Sequence, residues 1–395
     1  MQTNLNAPRG RLAYVDLTDP KHVLHDIVPQ SADAMQSVSL IGDRFYTDYL
    51  HDAHSVVRIT DLRGASAGTI DLPGIGTGGA VNAHREDRYA YYTFTSFTYP
   101  ATVYKYDTKT GASTVAVRPK IAFDAAPFVT EQIFTTSKDG TKIPVFVTHR
   151  KDMALDGSTP TILYGYGGFN ISITPYFSSA VAEWLQLGGA YAVVTLRGGG
   201  EYGDAWHDAG RLANKQHVFD DYFAAAQMLI DKKITSSARL AANGGSNGGL
   251  LVGAAITQRP DLFGAAIPEV GVLDMLRFQK FTVGKAWIPD YGSSEASADQ
   301  FAYLYAYSPY HRVKDGTKYP PTLVMTSDHD DRVFPAHSFK FAAALQHAQS
   351  GDSPILLRVE SKAGHGAGRP TDKIIDEVAD RYAFLVKTLN FTPTL

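Results

Sequence analysis

The chain has no cysteine among its 395 residues. Disulfides, thiolate metal sites and a cysteine nucleophile are thereby excluded, while the redox compartment stays open, because a chain without thiols suits either. Long apolar runs are lacking too. The longest near Ser246 is LLVGAAI, far short of the roughly 20 residues that cross a bilayer, so no membrane partner is expected. The net charge is only −3 and there is no long basic run, which points away from nucleic acid and from anionic membrane surfaces. The N-terminal MQTNLNAPRG lacks a signal-like hydrophobic segment. What is present, 44% apolar and 19% charged residues, is the composition of an ordinary folded protein, and the length suits two domains.

The first third reads as strands. Short runs rich in Tyr, Phe, Val and Thr alternate with polar residues and are separated by Gly, Asp and Pro. YVDL at Asp16, ITDLRG at Asp61 and YDTKTG at Asp107 recur at steps of roughly 45, the blade length of a propeller. DRFYTDY from Asp43 and DRYAYYTF from Asp87 keep about the same period. Two tracks in step predict about two and a half blades of an all-β propeller over residues 1–120. The histidines of HDAH, His51 and His54, read as structural rather than as a metal clip, and no metal site is expected.

From about Ile121 the rhythm changes. Strand-like runs such as TILYGYGG, YAVVTLRGG, RLAANGG and PTLVMTSD alternate with helix-like ones such as DDYFAAAQMLIDK and GGLLVGAAITQR. That alternation predicts an α/β fold over residues 121–395, a mostly parallel sheet covered on both faces.

Within this half, Gly244-Gly245-Ser246-Asn247-Gly248 fits G-x-S-x-G between a strand-like LAA and a helix-like LLVGAAI. A nucleophile lifted on a sharp turn sits in strained backbone, and flanking glycines let the strand and helix approach each other. A serine nucleophile needs a base, and the base an acid to orient it; in such folds the chain order is Ser, then Asp or Glu, then His. After Ser246 come LVMTSDHDDRV, a strand ending in Asp328, Asp330 and Asp331, and VESKAGHGAG, a strand leading to His365 between glycines. Chain order does not choose among the three aspartates. Both segments lie at C-terminal strand ends, where open α/β sheets gather catalytic groups. Upstream, LYGYGGFN follows a strand in the position of an oxyanion loop, with Tyr166 and Gly167–Gly168 available to a developing negative charge. RGGGEYG, Arg197 to Gly203, lacks the frame of a nucleotide loop and reads as a glycine-rich loop at the sheet edge, with no role assigned to Glu201.

YGYGGFN, LRGGGEYGDAWH, NGGSNGGLL, DHDDRV and KAGHGAG closely resemble the prolyl oligopeptidases, serine peptidases with an α/β-hydrolase domain capped by a β-propeller. The resemblance covers the whole catalytic half. It implies a doubly wound α/β-hydrolase sheet preceded by a partial propeller, no cofactor, and cleavage of short peptides after proline through an acyl-enzyme, the alternatives being another peptidase or an esterase of the same fold or a catalytically impaired fragment. Position by position it implies Ser246 as nucleophile, Asp330 as acid and His365 as base, with the oxyanion held by the Tyr166 hydroxyl and the Asn247 backbone N–H. It further implies that Trp287, in GKAWIPDYG, stacks on the substrate proline and that Phe169, Val272, Tyr291 and Val333 complete the pocket. Arg332 would meet a substrate carbonyl one residue upstream. An aromatic-lined slot suits proline, whose ring is flat, rigid and apolar.

Members of that family are longer, with seven blades, and this chain is expected to correspond to their C-terminal part. An incomplete ring leaves strand edges unprotected. Open edges are expected around Phe45–Tyr49 and Tyr89–Phe94, and with them self-association.

Overall fold

The computed structural model describes residues 1–366 and 368–394. They form two compact units, one of Met1–Thr130, Asn170–Ala182 and Gly200–His207, the other of Glu131–Phe169, Glu183–Gly199 and Asp208–Leu395.

In the first unit, β1 (Gln2–Thr3), β2 (Arg11–Val15) and β3 (Leu24–Val28) make a three-stranded antiparallel sheet. Two four-stranded meanders follow. They are β4 (Ala34–Ile41), β5 (Arg44–His51), β6 (His54–Asp61) and β7 (Ser66–Ile70), then β8 (Thr77–Asn82), β9 (Tyr89–Ser96), β10 (Tyr99–Asp107) and β11 (Ser113–Val117). These are two propeller blades and part of a third.

The sequence repeat has a physical cause. Asp16, Asp61 and Asp107 each close a strand, and the Oδ1 of each accepts the N–H two residues on: Thr18 at 2.8 Å, Arg63 at 2.8 Å and Lys109 at 2.9 Å. Each is an Asx turn into the outermost strand of its sheet. HDAH is also a turn. Asp52 and Ala53 both have positive φ, as a two-residue hairpin requires, and His51 pairs across it with His54. Alternation along β9 and β6 turns Tyr92, Phe94, Val57 and Ile59 into one core with Tyr46, Tyr104 and Tyr106.

The expected open edges are corrected by the pairing. Phe45–Tyr49 lies on β5, bonded to β4 and β6, and Tyr89–Phe94 on β9, bonded to β8 and β10. Both are inner strands. The end strands of the two meanders are β4 and β7, and β8 and β11, and β11 is exposed along its whole length.

The eight-stranded sheet runs β12 (Phe128–Thr136), β13 (Lys142–Arg150), β15 (Ala190–Val194), β14 (Thr161–Tyr164), β16 (Leu240–Gly245), β17 (Ala265–Glu269), β18 (Thr322–Ser327) and β19 (Ile355–Glu360). From β15 to β19 neighbours are parallel, and parallel neighbours need crossovers, supplied here by helices Ser179–Gln186, Gln216–Asp231, Asn247–Gln258 and Ala336–Ala348. The inner strands are buried almost throughout, hence the unbroken apolar run of β15, AYAVV. After β15 the chain crosses back over β14 to β16, so strand addition reverses at β14, and such a reversal is where open α/β sheets build their sites. RGGGEYG leaves the C-terminal end of β15, an inner strand rather than an edge strand. Its Gly200–Gly203 and the segment Asn170–Ala182 belong to the first unit, where Ile173 N–H donates to Glu201 at 2.7 Å.

Candidate active site

Ser246 stands between β16 and the helix Asn247–Gln258 with φ 60° and ψ −115°, a conformation costly for any residue but glycine. Its N–H donates to Glu269 O at 2.8 Å, at the end of β17. The glycines around it are dictated by space. A Cβ on Gly244 would lie 2.5 Å from Gly248 O, and one on Gly248 would lie 2.6 Å from Gly165 O. Any side chain there would push the helix off the ends of β14 and β16.

Tyr166 follows β14, and its hydroxyl interacts with the Ser246 side chain. Burial, and then the Asp290 charge, raise the phenol's pKa; the interaction with Ser246 and the nearby Arg332 charge act in the opposite sense. Asn247, the first residue of the helix, is buried. Its Nδ2 donates to Tyr166 O at 2.5 Å, and its Oδ1 accepts from Tyr291 Oη at 2.8 Å and Lys215 Nζ at 3.1 Å. Lys215 Nζ also donates to Gly167 O at 2.8 Å.

Two strands further on, the loop after β18 carries three aspartates with different surroundings. Asp330 is only 2% exposed; its Oδ2 is 2.7 Å from His365 Nδ1, and its Oδ1 accepts the N–H groups of Arg332 and Val333 at 3.0 and 2.9 Å. Asp328 instead pairs with His329 Nδ1 at 2.7 Å, and Asp331 is exposed. The loop after β19 that bears His365 is held by Arg369, whose guanidinium donates to Gly364 O at 3.3 Å and Ser327 Oγ at 2.8 Å and pairs with Glu377.

The aromatic residues form a continuous chain. Phe169 meets Tyr291 edge to face at 5.3 Å, Tyr291 meets Phe278 likewise at 5.2 Å, and Phe278 lies parallel to Trp287 at 6.4 Å. Tyr291 and Phe278 are buried, whereas Trp287 is half-buried and keeps accessible surface. Val272 and Val333 are buried beyond the ends of β17 and β18. Arg332 is exposed, and its carbonyl accepts Thr282 Oγ1 at 2.5 Å. Sequence reasoning missed Lys215, Phe278 and Arg369. Lysine and arginine in polar loops read as solvated, and only Phe278, an aromatic residue in the same stretch as Trp287, carried a signal. Among the described residues no group of three or more His, Asp or Glu is arranged to hold a metal ion, and no helix is long and apolar enough to cross a membrane.

Residues 175–392 match the prolyl oligopeptidase family, and residues 1–119 match the N-terminal beta-propeller domain of prolyl oligopeptidases. The chain is 47% identical to the prolyl endopeptidase of Elizabethkingia miricola, over 97% of this chain and 54% of that protein. It is 40% identical to the prolyl endopeptidase of Dictyostelium discoideum, over 98% of this chain and 53% of that one. Among solved structures, prolyl oligopeptidase B from Galerina marginata superposes with a TM-score of 0.93 at 36% identity, covering 98% of this chain and 56% of its own. The chain thus spans about half the length of the curated relatives it matches. With both halves matched, the chain belongs to the prolyl oligopeptidase family.

Proposed function

We propose that this chain carries the catalytic machinery of a serine endopeptidase that cleaves short peptides on the C-terminal side of proline. The observation that carries the reading is Ser246 on its strained turn at the C-terminal end of β16, with the Asp330–His365 pair at the C-terminal ends of β18 and β19 in the same parallel sheet. Ser246 Oγ attacks the carbonyl carbon of the proline residue and passes its proton to His365 Nε2, while Asp330 holds Nδ1 in the matching tautomer. The carbonyl oxygen becomes an oxyanion facing the Tyr166 hydroxyl and the Asn247 backbone N–H. Collapse breaks the C–N bond, and the proton moves from Nε2 to the leaving amine. Water then repeats the sequence to free the acid. Phe169, Val272, Trp287, Tyr291 and Val333 form the proline pocket, and Arg332 meets the upstream carbonyl. Residues 1–120 serve as the partial propeller and 121–395 as the peptidase domain.

The same chain self-associates through exposed propeller strands. Val117 lies on β11, an end strand exposed along its length, and such an edge pairs with other chains; Tyr89 and Tyr91 of the inner strand β9 add exposed aromatic surface to the face of the same sheet.

The function is tested with a Gly-Pro chromogenic substrate and a fluorophosphonate probe. The chain hydrolyses the one and is labelled by the other, and Ser246→Ala abolishes labelling and lowers turnover by about 10⁶. Labelling that persists on Ser246→Ala overturns the assignment.

A further inference from the structure

Lys215 is 1% exposed, where the turn Leu212–Asn214 meets the helix Gln216–Asp231. Burying an ammonium is costly, yet its hydrogen-bond acceptors, Gly167 O and Asn247 Oδ1, are both neutral. The face of Tyr291 lies 5.4 Å from Nζ, a distance at which a cation is still attracted to the ring. A glutamine or methionine would fill the space more cheaply, so the charge calls for a reason.

The contacts supply one. Lys215 grips Gly167 O, the carbonyl next to Tyr166, and Asn247, whose amide grips Tyr166 O. Tyr166 and Asn247 are the two residues assigned above to hold the oxyanion. A single buried cation therefore ties the loop bearing one donor to the helix terminus bearing the other.

Resting on the function proposed above, we infer that Lys215 is a positioning residue for the oxyanion site, which in its charged form locks the two donors together and sets a positive potential behind them. Fixed charge aimed at a developing anion in a water-poor site acts chiefly on the transition state. Lys215 therefore acts on kcat more than on KM. Burial lowers the Lys215 pKa to about 8, with Asp290 opposing that shift. The other titratable group facing it is the phenol of Tyr291, held neutral by burial. Only the protonated form is the lock, so activity falls as pH rises through about 8.

The experiment compares the wild-type chain with Lys215→Met and Lys215→Arg, measuring kcat and KM on a Gly-Pro chromogenic substrate from pH 6 to 10, the fluorophosphonate labelling rate and the melting temperature. Lys215→Met should lose roughly 10² in kcat, in line with loss of an oxyanion contact, with KM nearly unchanged and labelling slowed in parallel. Lys215→Arg should retain more activity and move the alkaline limb upward, since guanidinium does not deprotonate in this range. A folded Lys215→Met with wild-type kcat and limb overturns the inference. If Lys215→Met does not fold, an arginine variant whose limb stays near that of the wild type does so equally. A wild-type chain inert to substrate and probe defeats instead the proposed function, and this inference with it.

Discussion

His365 Nδ1 lies 2.7 Å from Asp330 Oδ2, and the other oxygen of that carboxylate accepts two backbone N–H groups of its own loop, from Arg332 and Val333. One buried carboxylate thus shapes the turn after β18 and faces the imidazole after β19. Asp328, two residues earlier, is paired with His329 instead. Burial and backbone geometry separate two residues that chain order leaves equivalent.

The first prediction follows from that asymmetry. In Asp330→Asn the oxygen side of the amide can still accept the Arg332 and Val333 N–H groups, which leaves the amide nitrogen against His365. An N–H facing Nδ1 forces the imidazole proton onto Nε2, where it can no longer accept from Ser246. Turnover should fall by roughly 10⁴ with little change in folding. Asp328→Asn should stay within a few-fold of wild type. Steady-state kinetics with the two variants in the reverse order would show that the wrong carboxylate has been chosen.

How far the sequence discloses this molecule depends on how local each feature is. The blade repeat was legible because its cause is local: an aspartate and the N–H two residues on, at Asp16, Asp61 and Asp107. The strand–glycine–serine–helix run was legible for the same reason. Which strands are outermost was not, because Phe45–Tyr49 and Tyr89–Phe94 alternate as edge strands would, and only their pairing places them inside. Lys215 was invisible because the groups it serves lie 48 and 32 residues away. Nothing local shows that Asn170–Ala182 and Gly200–His207 fold with the first unit.

Trp287 is half-buried, with one parallel neighbour, Phe278. A tryptophan that served only the core would be more fully enclosed. Trp287→Ala should therefore leave the melting temperature nearly unchanged. It should lower kcat/KM on proline substrates, by about 0.5–1.5 kcal/mol of lost stacking plus the lost contact area. Matched substrates with alanine before the scissile bond should suffer much less. Equal losses on both would assign Trp287 a structural role.

Glu201 gives a prediction about stability. Burial pushes its carboxyl up to about 8, against an ordinary value of 4.5. Between those values the folded chain holds a proton that the unfolded chain releases, so stability falls as pH rises through the window, by up to about 1.4 kcal/mol per pH unit. Glu201→Gln keeps an acceptor for the Ile173 N–H and has nothing to ionise. Its advantage over wild type in thermal melts should be small at pH 5 and grow to pH 8. Asp48, raised to about 7, and His337, lowered to about 4, titrate in both proteins and cancel in the comparison. A difference that stays constant from pH 5 to 8 would mean that Glu201 is not the group responsible.

The last prediction concerns association. The last four-stranded sheet exposes Tyr91 at 45% and Val117 at 62%, and its outermost strand β11 offers unpaired backbone groups along one side. A free strand edge, in a sheet whose face also exposes apolar side chains, favours association with a second copy. Light scattering after size exclusion should give a mass above that of the monomer, rising with concentration. Tyr91→Glu is the informative variant, because Tyr91 stands directly opposite Lys105 on β10. A glutamate there gains an opposite charge across the pair, so the sheet retains its own pairing while the patch loses its aromatic ring. Combined with Val117→Lys on β11, it should return the chain toward a monomer without lowering the melting temperature. A wild-type chain that is monomeric at every concentration would rule out this surface as an association site.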